Sequence, residues 1–127
     1  MAKVYLGGSY DGSNWRKELI SQLKIDHYNP TSEIDENIIL EQKNKCDFYL
    51  YVVTPKMLGF SPISEVSDDS NKRPAKTLFC FLEKDGDNEF TKFQIKSLSA
   101  VGKLVKNNGG MWMGTMLEVI AFLNGKA

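Results

Sequence analysis

The sequence predicts an α/β fold, a three-layer sandwich around a mostly parallel sheet of four to five strands. Short apolar runs rich in β-branched and aromatic residues, Val4 to Leu6, Phe48 to Val53 and Thr77 to Leu82, are each bounded by turn residues. They are continuously apolar rather than alternating, as strands covered on both faces are. Amphipathic helical patterns separate them, so strand and helix alternate along most of the chain.

Each element has a local reason. Val4 to Leu6 runs into Gly7-Gly8, where the backbone either turns tightly or comes close to a ligand that Ser9 and Tyr10 would touch. Ser13 or Asn14 can cap a helix carrying Trp15, Leu19, Ile20 and Leu23 on one stripe. His27 to Tyr28, just before Asn29-Pro30, reads as a short further strand. Ile34 to Lys45 places Ile34, Ile38 and Ile39 on a helical stripe, and Ser61 to Asn71 continues as a helix until Pro74 stops it. Phe90 to Lys106 carries Phe93, Ile95, Leu98, Val101, Leu104 and Val105, and Asn107-Asn108-Gly109-Gly110 ends it. Thr115 to Leu123 forms the last helix. The "GMWMG" before it is either core or an oligomer surface.

Composition narrows the function. The 127 residues suit a single domain spanning 1–127, long enough to bury about two thirds of its unfolded surface. Lys plus Arg and Asp plus Glu balance at 16 each with no run of like charge, which argues against a nucleic-acid polymer or an anionic membrane as partner. No apolar stretch is long enough to span a bilayer and the N-terminus opens on a strand pattern, so the expectation is a soluble, cytoplasmic protein that binds a small molecule or another protein. Cys46 and Cys80 lie in or beside apolar runs without a CxxC spacing, and read as small hydrophobes rather than a disulfide or metal pair.

In open α/β sheets ligands bind beyond the carboxyl ends of the strands. Three segments meet that condition: "GGSYDGSN", "NPTSE" and "TPKMLGFSPISEVSDDSNKRP". In the third, Ser61 and Glu65 share a helix face at i, i+4, with Asp68 and Asp69 continuing along it and Ile63 and Val66 turned to the core. Glu65 has two readings: a first-turn carboxylate that complements the helix dipole, or a carboxylate at the sheet's mouth facing Gly7, Gly8 and Ser9. The second could attack an anomeric carbon or stabilise the charge that develops as a glycosidic bond breaks. Gly7-Gly8-Ser9 lacks the spacing of a phosphate-binding motif, His27 has no triad partner, and Asp68-Asp69, without His or Cys, reads as a solvated face. Arg16 either pairs with a phosphate or is solvated.

"VYLGGSYDGSNWRKEL", "CDFYLYVVTP" and "ISEVSDDSNKRPAKTLFCFL", in that order, resemble the nucleoside 2-deoxyribosyltransferase-like family over about the first two thirds of the chain. The resemblance implies a small flavodoxin-like, Rossmann-like domain that cleaves the bond between a base and a 2-deoxyribose and passes the sugar to another base or to water. It implies Glu65 as nucleophile, Tyr5 as the tyrosine that hydrogen-bonds and orients it, and Tyr10 as an aromatic that stacks on the base. It further implies Gly7, Gly8, Ser9, Asp47 and Ser61 as substrate-binding positions, a nucleoside or nucleotide as ligand, a reaction that needs no metal or organic cofactor, and a homodimer. Two family aspartates have no counterpart, since their positions fall on Ile39 and Gly59, which points to altered specificity, hydrolysis in place of transfer, or loss of catalysis. Two alternatives remain: a non-catalytic binder of a nucleotide or ADP-ribose-type ligand, and, because "YLGGSYDGSNWRKELISQL" also resembles the first strand and helix of TIR domains, a TIR-like NAD glycohydrolase.

Overall fold

A computed structural model describes residues 1–10 and 12–127. Along the chain run β1 (Lys3–Gly8), α1 (Trp15–Ile20), β2 (Asp26–Tyr28), α2 (Glu36–Asn44), β3 (Phe48–Val53), α3 (Ser61–Lys72) and β4 (Thr77–Phe81). A small hairpin of β5 (Lys84–Asp85) and β6 (Asn88–Glu89) follows, then α4 (Lys92–Asn107), β7 (Met111–Trp112) and α5 (Met116–Asn124). Five strands pair in the order β2-β1-β3-β4-β7, all parallel. The chain steps outward from β1 to β2 and then crosses to β3 on the other side of β1. That reversal, in the flavodoxin-like strand order, puts the topological switch point between β1 and β3.

Side-chain alternation along the strands builds the two outer layers. Val4, Leu6, Leu50, Val52, Leu78 and Cys80 meet Trp15 and Leu19 of α1 and Val119 and Leu123 of α5. Tyr5, Tyr49, Tyr51, Val53 and Phe79 take the opposite face, against Val66 of α3, Leu98 and Val105 of α4, and the partly buried Ile39 of α2. Cys46 belongs to the second cluster and Cys80 to the first, so the sheet lies between the two free thiols. Among the described residues no helix is long and apolar enough to cross a membrane.

Three details depart from the sequence pattern. Asp35 accepts from the Asn37 amide and so starts α2 after Ile34, leaving Ile34 95% exposed and only Ile39 of the expected stripe packed inward. A capping box between Thr91 and Gln94 fixes the start of α4 and turns Phe93 out to 84% exposure, while Phe90 stays buried outside the helix. "GMWMG" supplies the edge strand β7, too short for periodicity to reveal. Trp112 packs across Gly102, where a Cβ would stand 2.3 Å from its ring.

The end of β1 depends on Gly8, which has φ 114° and would bring a Cβ to 2.0 Å from the Val52 carbonyl oxygen. Its left-handed backbone and the close approach of β3 both exclude a side chain. Gly8→Ala is therefore expected to cost on the order of 3 kcal/mol, read as a fall in the urea midpoint at unchanged m. A loss below about 1 kcal/mol would show that this junction relaxes freely.

Candidate active site

The site begins with a missing side chain. Gly7 lies opposite Tyr51 in the β1–β3 register, and a Cβ on it would sit 2.5 Å from the Tyr51 ring and 3.2 Å from that of Tyr5. The two rings fill that space, with centroids 6.3 Å apart; Tyr28 stacks on Tyr5 at 6.2 Å and Tyr49 meets it edge-on at 6.4 Å. Three adjacent strands thus lay four tyrosines along the face that α2 and α3 cover.

Buried phenols need polar partners. The Tyr51 hydroxyl donates to Asp69 Oδ2 at 2.5 Å and accepts from Lys43 Nζ at 2.8 Å. Lys43 also reaches Asp69 Oδ2 at 2.6 Å, and Arg73 donates to Oδ1 at 2.9 Å. Asp69, only 2% exposed, so receives three donors, while Lys43 Nζ stands 5.0–5.5 Å from the centroids of Tyr49, Tyr5 and Tyr51. Burial, then the bond to Asp69, pushes the Tyr51 hydroxyl pKa upward and keeps the phenol neutral. This network corrects the reading of Asp68-Asp69 as one solvated face: Asp68 is exposed and pairs with Lys72 at 3.1 Å, but Asp69 is interior.

Glu65 precedes Asp69 by one helical turn, toward the carboxyl end of β3. The residue as a whole is exposed, but its carboxyl stands against protein closely enough that desolvation is the leading influence on it and raises its pKa. Lys43 opposes that rise and Asp69 adds to it. Tyr5 is buried, and desolvation, then Tyr10 and Glu65, raise its hydroxyl pKa against the opposing charge of Arg16. Tyr10 shows the same leading cause, opposed by the charge of Arg16 and reinforced by that of Glu65. The structure thus brings Glu65, Tyr5 and Tyr10 into one electrostatic neighbourhood beside Lys43. Among the described residues no direct hydrogen bond joins Tyr5 to Glu65; the two are linked through their charges.

The loop after β1 is held from within by Arg16, which the sequence reading left either solvated or on a phosphate. It is 6% exposed. Its guanidinium donates to the carbonyls of Leu6 at 3.1 and 3.3 Å, Gly8 at 3.3 Å and Ser9 at 2.5 Å, and lies between the Tyr10 and Trp15 rings at 4.2 and 4.3 Å. Burial lowers its pKa to about 10. Ser9 is likewise buried, its amide donating to Val52 O at 2.9 Å and its hydroxyl accepting from the Thr54 amide at 3.1 Å. It therefore fastens the loop to the end of β3, and its oxygen is not turned out as a substrate contact. Tyr10 remains half open over Arg16, on a cleft of about 600 Å³ lined also by Ser13, Asn29 and Thr31.

Two further expectations resolve geometrically. Ser61 is exposed in the first turn of α3, on the Glu65 side. Asp47 is misplaced in the expected set, because it precedes β3 at the amino end of the sheet. There its carboxylate accepts from the Lys3 amide at 2.9 Å and its amide donates to Lys3 O at 2.8 Å. Pairing of β1 with β3 carries it to the end opposite Glu65. Lys43, Tyr51 and Asp69 were missed, although "FYLYVV" held a clue: Tyr49 and Tyr51 alternate onto one face and each brings a hydroxyl that must be satisfied.

Among the described residues, no three His, Cys, Asp or Glu side chains group as metal ligands. In comparisons with protein-family models, curated proteins and solved structures, nothing matches this chain.

Removing the Asp69 carboxylate leaves Lys43, Tyr51 and Arg73 without their shared acceptor. Asp69→Ala is expected to lower unfolding free energy by roughly 3 kcal/mol, whereas Asp68→Ala, at an exposed pair, should cost less than about 1 kcal/mol. Equal losses in paired urea titrations would contradict the assignment of Asp69 as the buried hub.

Proposed function

We propose that this protein cleaves the N-glycosidic bond of a 2-deoxynucleoside or deoxynucleoside monophosphate through Glu65, passing the deoxyribosyl group to water or to another base. The observation that carries this reading is the position of Glu65: a carboxylate beside the β1–β3 switch point, backed by Tyr5 and Tyr10, with Lys43 as the nearby opposing charge. Ligands in this class of sheet bind at that place.

In the proposed reaction the bond from C1′ to the base nitrogen breaks, its electron pair leaving with the base, as a Glu65 carboxylate oxygen closes on C1′. The transition state carries oxocarbenium character, which the carboxylate stabilises, and a sugar without a 2′ hydroxyl reaches it more readily. The resulting ester is displaced from the face the base vacated, by water or a second base, with net retention of configuration. Tyr5, kept neutral by burial, is available as a donor beside the nucleophile. Tyr10, stacked on Arg16, offers its open ring face to a base. Neither Ile39 nor Gly59 can protonate the leaving base, which favours hydrolysis or a restricted set of bases over broad transfer.

A second reading keeps the pocket and drops the reaction. It is favoured by the inward-turned Ser9 hydroxyl and the two absent aspartates, and it predicts ligand-dependent thermal stabilisation with no base released on prolonged incubation.

The test is base release from a panel of 2-deoxynucleosides and their 5′-monophosphates, followed chromatographically. Glu65→Ala should reduce turnover by about 10³-fold or more, and unchanged turnover would overturn the assignment. The nucleophile must be ionised and burial raises its pKa, so kcat/KM should climb with pH through an acidic limb above the usual carboxylate range. A limb at or below that range would contradict the desolvated site.

A further inference from the structure

Between α1 and the loop after β2 lies the cleft of about 600 Å³, of which the proposed chemistry uses only the Tyr10 ring. Arg16 and Lys17 from α1 and Asn29 and Thr31 from the loop share its walls with Tyr10. Among the described residues no aspartate or glutamate lines it. Two carboxylates that flank these residues in sequence are placed elsewhere. Glu33 accepts from the amides of Ile34 and Asp35 at 3.0 and 2.9 Å, and Glu18 lines a separate crevice against the β5–β6 hairpin.

The donors around the cleft are only partly spent. Buried Arg16 gives four of its five N–H groups to the carbonyls of Leu6, Gly8 and Ser9, and none of these acceptors carries a charge. A buried cation met only by dipoles still attracts an anion, the more so in a cleft of one sign. Lys17 is exposed and forms no ion pair among the described residues. Asn29 caps the turn after β2 with its Oδ1, which accepts from the Thr31 amide at 3.3 Å, and so keeps its Nδ2 hydrogens for the cleft. Thr31 adds a hydroxyl on the same wall.

Two cations, an amide and a hydroxyl, drawn from both walls with no acid among them, suit a group with several charged oxygens. A phosphate monoester presents three. The cleft has room for more than a phosphate, and Tyr10, 45% exposed, borders it while its ring rests on Arg16 at 4.2 Å. An aromatic group attached to the phosphate would cover the open part of that ring.

We propose that this cleft binds the phosphate of an aromatic phosphate monoester of the nucleoside 5′-monophosphate class: Lys17, Asn29 and Thr31 hold the phosphate oxygens, and the Arg16 charge draws them in. That this monoester is also the substrate rests on the reading of Glu65 as nucleophile, but the anion site does not. On that reading the protein acts on deoxynucleoside monophosphates in preference to deoxynucleosides.

Direct binding tests the site apart from turnover. Each of the four 2′-deoxynucleosides, its 5′-monophosphate and inorganic phosphate are titrated into ¹⁵N-labelled protein carrying Glu65→Gln, which keeps the ligands intact. The same titrations are run with Lys17→Gln, Asn29→Asp or Thr31→Val added, and the Thr31 backbone amide marks the site. Lys17 and Thr31 are exposed and Asn29→Asp keeps the capping oxygen, so each variant is expected to fold. The best monophosphate is expected to bind about tenfold or more tightly than its nucleoside, less so as salt rises. Lys17→Gln and Asn29→Asp should each cut that preference about threefold or more, and Thr31→Val less, with nucleoside affinity unchanged. The proposal is overturned if no monophosphate binds more tightly than its nucleoside, or if the preference survives in Lys17→Gln and Asn29→Asp alike. Inorganic phosphate binding as tightly as the best monophosphate would overturn the aromatic ester. Phosphate-dependent binding at these residues, with no base released by the wild-type protein, refutes the glycosidic reading while upholding the anion site. Base release with equal KM for nucleoside and monophosphate refutes the anion site while upholding the glycosidic reading.

Discussion

The four-way contact at Asp69 is the constraint on which the α2–α3 side of the molecule depends. A buried carboxylate is costly unless its charge and lone pairs are met, and here Lys43, Tyr51 and Arg73 meet them together. The donors come from α2, β3 and the residue after α3, so one acceptor fixes the lateral position of two helices over the sheet. Gly7 makes the arrangement possible, because the ring carrying the Tyr51 hydroxyl to Asp69 occupies the volume a side chain would take. A backbone choice in β1 thereby sets the polar chemistry of α3. Glu65 inherits its surroundings from that choice, since it lies one turn along the same helix.

A second constraint works at the sheet's end and is built from backbone rather than side-chain acceptors. Arg16 collects the carbonyls of Leu6, Gly8 and Ser9, and Ser9 is pinned in turn to Val52 and Thr54. Among the described residues none of the Arg16 hydrogen-bond partners is a carboxylate, so its charge is met by carbonyl dipoles and by the faces of Tyr10 and Trp15. The next connection joins the same clamp: Lys56 reaches Gly12 O at 3.3 Å and Asp85 of the β5–β6 hairpin at 3.7 Å. The loops that border the candidate site are thus fastened to one another before any ligand arrives. Preorganisation of this kind is what electrostatic catalysis requires.

The sequence made the alternation of strands and helices legible because buried parallel strands leave continuous apolar runs and α3, α4 and α5 carry clear stripes. It also placed Gly7, Gly8 and Glu65 at the same end of the sheet, since connection order alone dictates that. It did not reveal β7, whose two residues are too few for any period, or the failure of the α2 stripe, where Asp35 moved the helix start past Ile34. It misjudged Ser9, Arg16 and Asp69 for a shared reason: each is a polar residue in a loop or on a nominally polar helix face, and its burial depends on contacts with residues distant in sequence or with loop backbone. Asp47 was misassigned by resemblance, although its place before β3 already put it at the amino end. Burial of a polar side chain is a property of the assembled sheet, so local pattern could not distinguish Asp69 from Asp68.

The account comes down to whether Glu65 forms a bond to the sugar. Acid-quenched turnover mixtures of the wild-type protein with a deoxynucleoside it cleaves, analysed by intact-protein and peptide mass spectrometry, test this directly. The account predicts a transient adduct equal in mass to one deoxyribosyl group, confined to the peptide containing Glu65 and discharged when water or a second base is supplied. Base release with no adduct at any quench time, or an adduct on a peptide lacking Glu65, would contradict it.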